Sequence, residues 1–385
     1  MLYYRDGYLI KFIENIKTFK AGCKMSTKES WWTPPQIAYN SEVVDLFLTI
    51  KEVSDLLGIS VQAVHSIIKE GDIEVATKGK DTVIIYPKAL NEILRFRNWP
   101  VKRKKGKKAS HSVKGGVGKT SIIHTVAAKL SAYGFKVLLI DVDKQANLTN
   151  SFGIDDEQEG VITLKDLFEE YLARPKRYDP SVAICELTDY LHLIPADIGL
   201  ANLDFRVNES KVNIGYLFKN LLEKIEADYD FILFDLPCDF NSVSMAVHCY
   251  IDQCIIPVNI HKFSFKGLKL TTDHIKFVDS QYKVKPKILL VSNKVDGRST
   301  SSYERIAKLK EQYGEDVSDV IIPSCKPFEN AFDSESNVWK SAKARPAVGG
   351  IEDLVWSMAD LGSWAEQIKS FRQAKRSTQE VEAHV

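Results

Sequence analysis

Lys114-Gly-Gly-Val-Gly-Lys-Thr120 is the stretch that decides how this 385-residue chain is read. Glycines at 115, 116 and 118 let the backbone turn several N–H groups inward, a conformation that side chains would obstruct. A helix beginning near Lys119 would aim its positive dipole end at the same spot. Lys119 then offers a point charge to outer phosphates, and Thr120 offers a hydroxyl to magnesium. The reading is a phosphate cradle in which Lys114, Gly115, Gly116, Val117, Gly118, Lys119, Thr120 and Ser121 meet a nucleotide. The general pattern G-x-x-x-x-G-K-S/T would need glycine at 113, where the chain has Val113. The variant K-G-G-x-x-K-S/T fits instead and adds Lys114. A glycine-rich turn carrying two lysines is the bland alternative; the acidic strand ends further along the chain argue against it.

Outward from the loop, short apolar runs alternate with helical patterns. Lys136-Val-Leu-Leu-Ile-Asp141, Asp230-Phe-Ile-Leu-Phe-Asp235, Gln253-Cys-Ile-Ile-Pro-Val258 and Lys287-Ile-Leu-Leu-Val-Ser292 read as strands buried on both faces. Helical stretches are expected over 119–133, 214–227, 264–279 and 302–313. This alternation indicates an α/β fold, a mostly parallel sheet flanked by helices. Asp141 and Asp143 close the second strand and face one way along an extended chain. A carboxylate there can orient water or serve magnesium. Asp235 ends an apolar strand, the Walker-B layout. A helix-capping aspartate is the alternative for either Asp141 or Asp143 alone.

The ordered set Lys114–Thr120, Asp141-Val-Asp143-Lys-Gln145-Ala-Asn147-Leu-Thr149, Asp235-Leu-Pro237 and Ile255-Ile-Pro257-Val resembles the ParA family of partition ATPases, relatives of MinD. The likeness spans roughly residues 109–370, and the N-terminal extension is similar to the larger plasmid type. The resemblance implies a P-loop NTPase in which two chains sandwich two ATP molecules. Lys114 then reaches the partner chain's nucleotide, Lys119 holds the β/γ phosphates, and Thr120, Asp141 and Asp235 serve Mg2+. Asp143 positions the attacking water, Asn293 contacts adenine, and Pro323 packs near the base. The resemblance further implies a homodimer that binds DNA without sequence choice when ATP-loaded, a ParB-type partner that stimulates hydrolysis, and operator binding otherwise. Arg298, Arg305, Lys308, Lys340, Lys343 and Arg345 could form the non-specific DNA surface that the resemblance implies; a solvated face is the alternative for each.

Three departures stand out. Lys107-Lys-Ala-Ser-His-Ser-Val113, before the loop, is polar where an apolar strand is usual. A short or frayed strand is therefore expected, with slow hydrolysis. Lys144 and Cys238 stand where the family has prolines.

The first 108 residues carry net charge +7, the rest −6. A basic front on a mildly acidic body suggests a polyanionic partner for the front. Thr49-Ile-Lys-Glu52 is a capping box, Gly58-Ile-Ser60 a turn, and Val61–Glu70 a second helix with Val64, Ile67 and Ile68 inward. Two strands around a glycine turn come next, through Val75–Tyr86. This is a winged helix-turn-helix layout over 48–100. Gln62, His65, Ser66 and Lys69 would face bases, and Lys78 and Lys80 phosphates. The alternative is a packing domain without DNA contact.

Residues 1–47 read as an amphipathic helix (Leu9, Phe12, Ile13, Ile16, Phe19), which could pair two chains, and a linker; Met25 is an alternative start. Residues 101–108 hold six basic side chains and read as a solvated linker. Residues 371–385 read as a flexible tail. His124 is expected to be a partly buried helix residue, and Cys249 and Cys254 small buried ones. The six cysteines show no metal spacing, and unpaired thiols suit a reducing cytoplasm. No apolar run is long enough to span a membrane. A nucleoid-associated protein is the expectation. The rivals are a DNA-binding regulator with a weakened nucleotide site and a MinD-like positioning ATPase.

Overall fold

The computed structural model describes residues 46–79, 82–155, 158, 160–260, 265–333 and 342–382. The expected N-terminal helix lies outside them, as do Lys80 and Lys340.

The front part runs β1 (Leu48–Thr49), α1 (Ile50–Leu57), α2 (Val61–Glu70), β2 (Ala76–Lys78), β3 (Thr82–Ile85) and α3 (Pro87–Phe96). Thr49 caps α1, and the Glu52 carboxylate accepts from Thr49 N at 2.6 Å, which closes the capping box. Gly58 ends α1 at φ +62, a left-handed turn that glycine adopts freely, and Ser60 caps α2. Val53, Leu56, Leu57, Val64 and Ile67 are buried between the two helices and the small sheet, in which β3 pairs antiparallel with β1 and β2.

The rest of the chain runs β4 (Gly106–Ser110), α4 (Lys119–Ala132), β5 (Val137–Asp141), α5 (Asn147–Ser151), α6 (Leu164–Ala173), β6 (Cys185–Thr188), β7 (Leu191–Ile194), α7 (Leu203–Ser210), α8 (Leu217–Leu222), β8 (Phe231–Asp235), α9 (Ser242–Tyr250), β9 (Gln253–Asn259), α10 (Phe265–Tyr282), β10 (Lys287–Val295), α11 (Thr300–Tyr313), β11 (Val317–Pro323), α12 (Lys326–Asp333), α13 (Arg345–Ala359) and α14 (Gly362–Glu382). The sheet order is β11-β10-β9-β4-β8-β5-β7-β6, with every pair parallel except β6 on β7.

Side-chain alternation divides the core in two. Val137, Leu139, Phe231 and Leu233 join one buried cluster, which also takes in α4, α13, α14 and the front module. Leu138, Ile140, Ile232 and Phe234 join the other, beneath α6–α10. Among the described residues no helix is long and apolar enough to cross a membrane.

Three expectations are corrected. Residues 106–108 are not linker; they begin a central strand that pairs with β8 along Gly106–Ser110. Its lysines are matched by acids from distant segments. Lys107 Nζ meets Glu226 at 2.9 Å, and Lys107 N donates to Asp252 Oδ2 at 2.7 Å. Arg103 and Lys105 face Asp230, and Lys104 faces Asp360. Lys108 is buried against Gln253 at 2.9 Å, and burial pushes its ammonium down to about 8. Second, the expected helix over 214–227 splits into the short α8 between single 3-10 turns. Third, α14 continues to Glu382, through the expected tail, because residues 369–382 contain no glycine or proline to stop it.

Candidate nucleotide site

The site lies at the carboxyl ends of β4, β5 and β8, where chain order reverses across the sheet. The loop after β4 wraps the amino end of α4. Gly116 sits at φ +69 and Gly118 at φ +93, and a Cβ added at Gly118 would come within 2.5 Å of Asn293 Nδ2. A cavity of about 600 Å³ opens over this loop. Gly115 through Ser121 line it, together with Asp143, Gln145, Asn147, Asn150, Ser151 and Cys238.

Thr120 Oγ1 donates to Asp235 Oδ2 at 2.6 Å. Asp235 Oδ1 is buried without a hydrogen-bond partner. Burial and the neighbouring Asp141 push the Asp235 carboxyl well above the usual carboxylate range. An orphaned oxygen of this kind is costly unless something meets it. Magnesium fits: it takes oxygen ligands, often one or two from protein and the rest from phosphate and water. Among the described residues no group of three His, Cys, Asp or Glu gathers as a metal site.

Asp141 is differently placed. Its Oδ1 accepts from Asp143 N at 3.1 Å, and its Oδ2 accepts from Thr149 N at 2.9 Å and Thr149 Oγ1 at 2.8 Å. Burial raises its carboxyl despite these bonds. Asp141 thereby ties the segment 142–149 and holds Asp143 at the cavity wall. Asp143 is half-buried and accepts from Gln145 N at 3.0 Å.

Lys119 is buried, with Nζ 2.9 Å from Cys238 Sγ. Lys114 is half-buried and does not line the cavity. Asn293 Nδ2 donates to Val117 O at 2.7 Å, and Oδ1 accepts from Lys294 N at 2.8 Å. That side chain props the glycine loop; neither it nor Pro323, which ends β11 beside Val295, lines the cavity. Reasoning from sequence assigned no role to Gln145, Asn150, Ser151 or Cys238. Gln145 and Asn147 were visible within the quoted motif, whereas nothing local to Cys238 signals its meeting with Lys119.

On the front module Gln62, His65, Ser66 and Lys69 are exposed on α2. Lys78 lies over the Phe47 ring at 4.4 Å. Arg298, Lys308, Lys343 and Arg345 are exposed, while Arg305 donates to Ile260 O at 2.8 Å. His124 is fully enclosed in α4, its Nδ1 2.8 Å from Ser151 Oγ and its ring stacked on Phe152 at 4.2 Å. Cys254 is buried and Cys249 half-buried.

A family model for the AAA domain, AAA_31, matches residues 109–288. An uncharacterised protein of Pseudomonas putida is 30% identical over 219 residues, covering 54% of this chain and 78% of that protein. The chromosome partitioning protein ParA of Caulobacter vibrioides is 29% identical over 213 residues, covering 54% of this chain and 77% of its own length. Among solved structures, cobyrinic acid a,c-diamide synthase from Mycobacterium smegmatis with bound ADP and magnesium has a TM-score of 0.54 at 23% identity, over 66% of this chain and 94% of its own. That last likeness is one of fold.

Proposed function

Because the chain belongs to the MinD/ParA superfamily of P-loop proteins, we propose that it is a partition-type ATPase of the cytoplasm and nucleoid. The observation that carries this reading is the Thr120–Asp235 pair under the glycine loop, with one buried carboxylate oxygen left for a cation. Lys119 holds the outer phosphates of ATP, Thr120 and Asp235 hold Mg2+, and Asp143 orients the attacking water. Asp141 keeps Asp143 in place. Magnesium supplies charge neutralisation between the phosphates when bound. Lys114, outside the cavity of its own chain, serves the nucleotide of a second copy in a homodimer. Full pairing of β4 with β8 supports an ATPase over a regulator with a weakened site.

The ATP-loaded dimer binds DNA without sequence choice. A ParB-type partner stimulates hydrolysis and so releases it, and cargo DNA is segregated by that cycle. The module over 48–100, with Gln62, His65, Ser66 and Lys69 outward, binds an operator in the absence of ATP. This is a population shift: the γ-phosphate favours the paired state and its loss frees the chain.

DNA binding by the purified chain with ADP, ATP and a slowly hydrolysed ATP analogue tests the reading. ATP and the analogue should strengthen binding to a random-sequence duplex, steeply weakened by salt. Equal binding with all three, or none with any, contradicts it.

A further inference from the structure

Three histidines gather behind the glycine loop: His111 just past β4, His248 on α9 and His274 on α10. His111 Nδ1 lies 2.8 Å from His248 Nε2, and His111 Nε2 lies 3.2 Å from the Asp239 carbonyl oxygen. His111 and His248 are both fully enclosed. Burial drives both rings far below the ordinary imidazole range, and Lys119 lowers His111 further. Each ring is therefore neutral and carries one N–H. A carbonyl oxygen can only accept, so the His111 proton sits on Nε2. Its Nδ1 then accepts, and His248 must donate from Nε2. That leaves His248 Nδ1 bare, and this atom is indeed buried without a partner.

The carbonyl held by this relay belongs to the loop after β8. The other end of that loop is tied as well, since Leu236 N donates to Ser110 O at 3.1 Å. Two consecutive residues at the end of β4, Ser110 and His111, thus grip both ends of 236–239. Between the grips Cys238 lines the cavity and meets Lys119. Phe240 closes the cluster, stacked on His274 at 4.0 Å and edge-on to His111 at 5.3 Å.

We propose that His248, acting through His111, is a positioning residue of the nucleotide site: the relay fixes the loop that follows Asp235 and keeps Cys238 beside Lys119. The proposal rests on the reading of this cavity as a nucleotide site. Two variants test it in the full chain. His248→Leu removes the donor at similar volume, and His248→Gln keeps an N–H near the Nε2 position. The first readout needs no turnover: alkylation of Cys238 by iodoacetamide without nucleotide, resolved by peptide mass spectrometry. Cys238 is already exposed, so the rate should fall several-fold in the leucine variant as the thiol moves away from the Lys119 ammonium, and stay near wild type in the glutamine variant. The second is Mg-ATP turnover, in which kcat falls about tenfold for leucine, KM stays within about twofold, and glutamine restores kcat. In the wild type, imidazole ¹⁵N spectra should place the proton on Nε2 of both rings; this holds whether or not a variant folds. Identical alkylation in all three proteins, a glutamine variant as impaired as the leucine one, or a proton on His111 Nδ1 overturns the proposal. A wild type without turnover but with the expected alkylation pattern refutes the hydrolysis reading and leaves the relay standing.

Discussion

At the scale of single residues, Gly118 carries the tightest constraint in the nucleotide loop. Its φ of +93 disfavours any side chain, and a Cβ there would meet the Asn293 amide that props the loop. Gly118→Ala should weaken Mg-ATP binding by more than about tenfold, or 1.4 kcal/mol; an unchanged isotherm would show that the loop tolerates displacement of Asn293. His124 yields a prediction about pH. When folded it stays neutral down to about pH 3, whereas the ordinary imidazole value is 6.5. Below that ordinary value the unfolded chain takes up a proton that the folded chain refuses, so acidification favours unfolding. Each pH unit between the two values costs about 1.4 kcal/mol. His124→Phe keeps a ring against Phe152 but cannot titrate. Urea unfolding should show the stability difference shifting toward the variant by about that amount from pH 6 to pH 5, with little change between pH 7.5 and 8.5. Parallel curves would mean that His124 is protonated in the fold. The placing of Lys119 and Thr120 on the glycine loop and of Asp235 at a strand end was legible in the sequence because each sits in a local pattern. Cys238 beside Lys119, Asn293 against Val117 and His111 against His248 were not, since each joins segments more than a hundred residues apart.

At the scale of elements, β4 shows where pattern reading fails. Gly-Lys-Lys-Ala-Ser lacks the apolar run of a central strand, yet it lies between β8 and β9. Counter-charges from Glu226 and Asp252, neither near in sequence, make this possible. The inner strands β5, β8, β9 and β10 were legible because each carries a mostly apolar run, whereas β7, Leu-His-Leu-Ile, was not read from sequence. Lys108 marks the strain of the arrangement, because its burial disfavours the ammonium. Lys108→Met should therefore leave stability unchanged or raise it by about 1 kcal/mol, read as the thermal midpoint; a clear loss would mean that the Gln253 contact outweighs burial. In α14, Trp364 and Ile368 are buried, and the helix runs on through a stretch that reads from sequence as a tail. Trp364 is fully buried, 5.8 Å from the Phe135 ring. Trp364→Ala should cost about 3–5 kcal/mol in chemical denaturation; a cost below about 1 kcal/mol would show that this site collapses freely.

At the scale of the whole molecule, the sheet brings three strand ends together so that a glycine loop, a hydroxyl, a carboxylate and a lysine converge on one cavity. The parallel α/β order follows from the alternation of apolar runs and helical patterns, and it was legible. The joining of the front module to the sheet was not. Asn91 on α3 donates to Gly134 O at 3.1 Å, and Arg103 bridges to Asn91 at 2.7 Å, so the segment 101–105 leads into β4 with fixed partners. Charge composition gives no register for such contacts. The account turns on whether this cavity takes a magnesium-bound triphosphate. Titration calorimetry of the full chain with Mg-ATP, beside Lys119→Ala, is the direct measurement. The account predicts saturable binding at one site per chain in the wild type and none detectable in the variant; equal binding by both proteins would contradict it.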